Sequence, residues 1–153
     1  MIINIIISIL LFYSSLFNEK YDEVRISDYD NAVFIIVGNL YCSECLGELS
    51  KNKKIWEKNF ISILITPSEK DKKSIISRIK SFRKLFKFDD IIFIEQSRRN
   101  LVHNITIDGN LIEHSPAIII RKNGHNSFIE HKELFKNDTI DLSQKLINIF
   151  KEL

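Results

Sequence analysis

At 153 residues the chain has one domain's length, enough to bury a sizeable core and too short for two ordinary domains. Hydrophobic residues at 44% and charged residues at 27% exclude a disordered chain. Twenty-two Lys and Arg against 20 Asp and Glu leave a formal net charge of +2, which argues against a nucleic-acid partner on bulk charge.

The chain opens on "IINIIISILLFYSSLF", Ile2 to Phe17, which carries no charged side chain and then gives way to "NEKYDEVR". Its length suits the apolar core of an export signal, or a short membrane anchor, better than a full span of about 20 residues. Residues 1–18 are therefore expected to be a signal peptide or anchor, with 1–17 a membrane tether where retained. Residues 19–31 read as an N-terminal extension and 32–153 as the domain. An extracytoplasmic location follows from that leader.

"AVFIIVG", Ala32 to Gly38, is apolar throughout and reads as a central strand buried on both faces. It runs into "NLYCSECLGEL", which holds Cys42 and Cys45, the chain's only two thiols. From Ser43 to about residue 58 the pattern is helical, with Leu46, Leu49, Ile55 and Trp56 inward. "FISILITP", Phe60 to Pro67, is a second strand. Residues 68–88 then predict a long helix with Ile75, Ile76, Ile79, Phe82, Leu85 and Phe86 on one face. Its many Lys and Arg read as a solvated face, with attraction to anionic lipid or an acidic partner as the alternative. "DIIFIEQ", Asp90 to Gln96, is a third strand, and 97–105 is expected to be a short helix or turn. "SPAIIIRKNGHNSFIEHKE" predicts a strand, a turn at Asn123-Gly124 and a return strand. A last helix is expected over 138–151. The layout is an α/β domain, a sheet covered by helices.

This order delivers Cys42 to the start of a helix, where unpaired backbone N–H groups and the helix dipole favour negative charge. Such a thiol can ionise at between about 3.5 and 7.5 instead of about 8.5, which makes Cys42 the candidate nucleophile. Cys45, one turn later, is the natural resolving thiol. A bond across so short a loop constrains the unfolded chain little, so the spacing points to chemistry more than to stability. Glu48 lies three residues after Cys45, near the same helix face, and is a candidate proton acceptor for Cys45 if partial burial holds its carboxyl near neutrality. Ser115-Pro116, just before the hairpin, is a candidate cis peptide.

A strand, a CxxC at a helix start, a β-α-β succession and Ser-Pro leading into a hairpin and a final helix resemble the thioredoxin-like fold, a central mixed sheet flanked by helices. "CSECLGEL" is similar to the CxxCxxE signature of the TlpA/ResA-like thiol-disulfide oxidoreductases, with Glu48 on the acidic position. Tyr41 stands where that family usually has Trp, and Ser50 replaces a frequent proline. The resemblance implies a thiol-disulfide oxidoreductase with Cys42, Cys45 and Glu48 catalytic and with Tyr41, Ser115 and Pro116 holding substrate. It implies protein thiol or disulfide substrates kept reduced outside the cytoplasm, and a membrane electron donor. No cofactor beyond the Cys42–Cys45 disulfide and no metal is expected. The alternatives are an oxidase or isomerase using the same cysteines, and a copper- or zinc-binding module in which His114 joins them. His103, His125 and His131 read as surface residues.

Overall fold

The computed structural model describes residues 16–38, 41–52, 54, 60–67, 72–88, 90–96, 105–107, 109–136 and 141–152. Short strands β1 (Leu16–Asn18) and β2 (Glu23–Val24) come first, followed by a 3-10 turn at Ile26–Asp28. The helical and sheet core then alternates β3 (Ala32–Val37), α1 (Ser43–Asn52), β4 (Phe60–Pro67), α2 (Lys72–Phe86) and β5 (Asp90–Gln96). A small hairpin, β6 (Ile105–Ile107) and β7 (Asn110–Ile112), precedes the larger hairpin β8 (Ala117–Lys122) and β9 (His125–Ile129). One turn of helix α3 (His131–Leu134) and the final helix α4 (Leu142–Glu152) close the chain.

Seven strands form one mixed sheet in the order β2-β1-β5-β4-β3-β8-β9. β3, β4 and β5 are parallel neighbours, while β8 runs antiparallel to β3 and β1 antiparallel to β5. All six residues of β3 are buried, as its unbroken apolar run requires of a strand covered on both faces. Successive side chains of a strand point to opposite faces, so Val33, Ile35 and Val37 join Leu46 and Leu49 of α1 and Ile75, Ile79 and Phe82 of α2 in one core. Ala32, Phe34 and Ile36 join Ile107 and Ile112 of the small hairpin in the other.

Several boundaries differ from the expected ones. The sheet already includes Leu16 to Asn18, which pair with Ile94, Phe93 and Ile92 of β5, so the strands β1 and β2 lie in stretches read as leader end and extension. Residues 1–15 themselves lie outside the described residues, as do Ile55 and Trp56 and residues 97–104 of the expected 97–105 helix or turn, whose last residue, Ile105, instead opens β6. On α2, Ile76 and Leu85 are exposed, at 40% and 68%, and not inward. At 100° per residue the buried arc is centred on Ile75, Ile79, Phe82 and Phe86, and both apolar residues fall outside it. The β6–β7 hairpin was legible in principle, since Asp108-Gly109 between apolar residues is a two-residue turn signal, and Gly109 has the positive φ of 79° that such a turn needs.

Candidate active site

β3 ends at Val37, and α1 begins immediately after Cys42. The carbonyl of Cys42 accepts the first helical hydrogen bond, from the N–H of Leu46 at 3.1 Å, which makes Cys42 the residue that caps the helix. Its sulfur takes the place of a capping oxygen, accepting the N–H of Cys45 at 3.2 Å. The two cysteines are joined as a disulfide with Cα atoms 5.2 Å apart, and both are half-buried. The amide of Cys45 and the N-terminal end of α1 thus face the Cys42 sulfur.

The Ser115-Pro116 peptide is cis. Ser115, only 7% exposed, ties this segment to both sides of the thiol loop. Its Oγ accepts the N–H of Gly38 at 3.1 Å, and its carbonyl accepts the N–H of Cys42 at 3.2 Å. The residue before the cis-proline and the Cys42 segment are thus one hydrogen-bonded unit. Tyr41 is half-buried and meets the ring of Phe86 edge-on at 5.9 Å, so the end of α2 supports the residue in front of Cys42. Ser50 donates to the carbonyl of the same Phe86 at 2.6 Å, satisfying a backbone acceptor at the end of α2.

Glu48 lies on the surface. Its side chain is 51% exposed and ion-paired with Lys51 at 2.6 Å. Glu44 is exposed as well. His114 is exposed, its nearest ring neighbour being His131 at 6.3 Å, and among the described residues no three His, Cys, Asp or Glu side chains converge as a metal site would require.

His131, expected on the surface, is instead half-buried in this site. Its Nδ1 lies 3.1 Å from the carbonyl oxygen of Pro116, and its ring packs on Phe135 at 4.8 Å. With Nδ1 protonated it donates to that carbonyl. The signal that finds it is the hairpin register: β8 and β9 pair Arg121 with Asn126 and Ile118 with Ile129, and two residues further along each strand the same register sets Pro116 opposite His131. Asn123 and Gly124, both at positive φ, make the two-residue turn that fixes the register. Beside His131, Lys132 holds its proton above the usual lysine range, chiefly through its 2.7 Å contact with the Glu130 carboxylate, whose charge adds to the effect, as do Glu113 and Glu133.

No protein family's sequence profile and no curated protein sequence matches the chain. Solved structures do. A secreted Mycobacterium tuberculosis disulfide oxidoreductase homologous to Escherichia coli DsbE superposes with a TM-score of 0.51 at 12% identity, over 91% of this chain and 95% of that one. A DsbF homologue from Corynebacterium diphtheriae gives 0.52 at 16% identity, over 92% and 86%. Arabidopsis thaliana ScoI with copper bound gives 0.52 at 12% identity, over 91% and 96%. The fold is thioredoxin-like, with the CxxC at the start of its first core helix and the cis-proline before its hairpin.

Proposed function

We propose that this protein is an extracytoplasmic thiol-disulfide oxidoreductase that reduces protein disulfides through Cys42 and Cys45, in the manner of the TlpA/ResA-like proteins its CxxCxxE stretch resembles. The observation that carries the reading is the Cys42 sulfur capping α1, accepting the Cys45 N–H, while the Cys42 N–H is held by the carbonyl of Ser115 next to the cis-proline. The secreted disulfide oxidoreductase among its structural neighbours supports both the chemistry and the location.

In the forward direction the Cys42 thiolate attacks one sulfur of a substrate disulfide. That S–S bond breaks, and the departing substrate thiolate takes a proton from solvent. Cys45, deprotonated, attacks Sγ of Cys42 and breaks the mixed disulfide, releasing the second substrate thiol and leaving the Cys42–Cys45 disulfide seen here. Two electrons have passed to the substrate, and a membrane dithiol donor returns the pair to its reduced state. Ser115 and Pro116 present backbone to an extended substrate, with Tyr41 beside it. Glu48 assists deprotonation of Cys45 through water once Lys51 releases it. The apolar residues before β1 serve as export leader or tether.

The test is a Cys45→Ser form of the full chain purified from cells after acid quenching. Mixed disulfides on Cys42, absent from a Cys42→Ser control, are the expected result; adducts on neither form defeat the reading. Titration of the pair against glutathione gives the direction. A potential closer to about -270 mV than to about -120 mV marks a reductant, and the reverse marks an oxidase using the same residues. The copper-bound neighbour motivates a metal assay on the reduced protein, in which stoichiometric copper lost with His114→Ala would favour the metal-binding alternative.

A further inference from the structure

The outer face of α2 has no part in the thiol chemistry, and its composition is unlike that of the rest of the surface. Every ionisable side chain from Lys72 to Lys87 is basic, in a chain whose charges nearly balance overall. Lys72, Lys73, Lys80, Lys84 and Lys87 are all exposed. At 100° per residue Lys73, Lys80 and Lys84 fall within a sector of about 40°. Ile76, exposed at 40%, stands one turn from both Lys73 and Lys80 on that side of the helix. Lysines around an exposed aliphatic side chain are the composition of a helix face that lies along a lipid surface.

A second observation ties the segment that follows the uncharged start of the chain to this helix. Glu19, the first charged side chain in the sequence, is ion-paired with Arg83 of α2. Two residues on, the Tyr21 hydroxyl donates to the carbonyl of Lys72 at 3.3 Å, and the Lys72 ammonium lies 4.4 Å from the centre of the Tyr21 ring. The uncharged residues before β1 therefore lead, through β1, into a segment held against α2, so that seating them in a bilayer would bring this lysine face towards the headgroups. We propose that the basic face of α2 docks on an anionic glycerophospholipid surface, orienting the domain on the membrane. This rests on the tether part of the proposed function and is independent of the thiol chemistry.

The experiment uses the full chain reconstituted into vesicles of phosphatidylcholine alone or of equal parts phosphatidylcholine and phosphatidylglycerol. The rate at which a water-soluble acylating reagent modifies each lysine is read by peptide mass. Lys80 and Lys84 are expected to react at least fivefold more slowly in the anionic vesicles, and high salt is expected to abolish the difference while the chain stays bound. Lys122, in β8 near the opposite edge of the sheet, keeps one rate throughout. In the variant Lys73→Glu/Lys80→Glu/Lys84→Glu, protection of Lys87 is lost, since each cation near an anionic leaflet contributes about 1 kcal/mol, or about fivefold in partition. A chain that leaves phosphatidylcholine vesicles but binds anionic ones with the same lysines protected has lost only the tether. Equal rates in both vesicles overturn the proposal, as does protection that appears only when polyglutamate is added, which assigns the face to an acidic protein. Mixed-disulfide trapping by Cys45→Ser reports on the redox reading separately.

Discussion

His131 and Glu48 show how little the identity of a residue says until its partners are known. His131 reaches the Pro116 carbonyl at 3.1 Å from half-buried packing on Phe135, so it fixes the segment that we propose presents backbone to a substrate. A net hydrogen bond contributes about 0.5–1.5 kcal/mol, which places the effect of His131→Ala at roughly three- to tenfold in kcat/KM for a protein disulfide. Reduction of a small-molecule disulfide, which needs no strand alongside Pro116, should be unchanged, and His131→Asn should recover part of the loss; an equal fall on both substrates would assign His131 to folding alone. Glu48 leads to the opposite expectation. Exposed and paired with Lys51, it cannot deliver the 10²–10⁴-fold of a buried general base. Glu48→Gln is expected to slow resolution of the mixed disulfide by less than tenfold, measured by stopped flow, and Lys51→Ala to speed it slightly. Nothing in the one-dimensional pattern distinguishes this surface carboxylate from a buried one, because three residues past a cysteine on a helix is a face and not a depth.

The elements divide by what determines them. β3, β4, β5, the β8–β9 hairpin and the thiol pair at a helix start were legible because each is set by local terms: unbroken apolar runs, the Pro67 stop, the Asn123-Gly124 turn. β1 and β2 were not, since strands of three and two residues carry too little period to read; β1 exists by pairing with β5, and β2 by pairing with β1. α3 is one turn long and is held by reciprocal bonds between Glu130 and Glu133, a signature that is visible only when the start of the helix is already known. The same dependence on neighbours explains β4. Its Ser62 is fully buried between β3 and β5, and its hydroxyl has no hydrogen-bond partner among the described residues. Removing an unsatisfied buried hydroxyl relieves a desolvation cost of about 1–3 kcal/mol, so Ser62→Ala is expected to stabilise the protein by about 1 kcal/mol in urea unfolding. A destabilised variant would show that a bound water satisfies the oxygen.

At the scale of the whole molecule, the sheet carries the fold and the disulfide does not. Two apolar layers cover β3 on both faces, whereas the Cys42–Cys45 bond closes a loop with a sequence separation of 3. Loop entropy gives so small a ring about 2 kcal/mol, and a shift of about 2–4 °C in Tm accompanies each kcal/mol for a chain of this size. Reduction is therefore expected to lower Tm by less than about 8 °C and to leave the circular dichroism spectrum unchanged; unfolding on reduction would make the bond structural. The hairpin register has a longer reach than any covalent link near the thiols. Six residues of β8 separate the turn at Asn123-Gly124 from Pro116, about 20 Å of extended chain, yet that turn decides which side chain stands across from the proline. One amino acid inserted at the tip would slide β9 by a notch, turn its inward residues outward and leave the imidazole without its carbonyl. The distant bend works as a ruler for the redox end, and tolerance to length changes there should be far lower than its solvent exposure suggests.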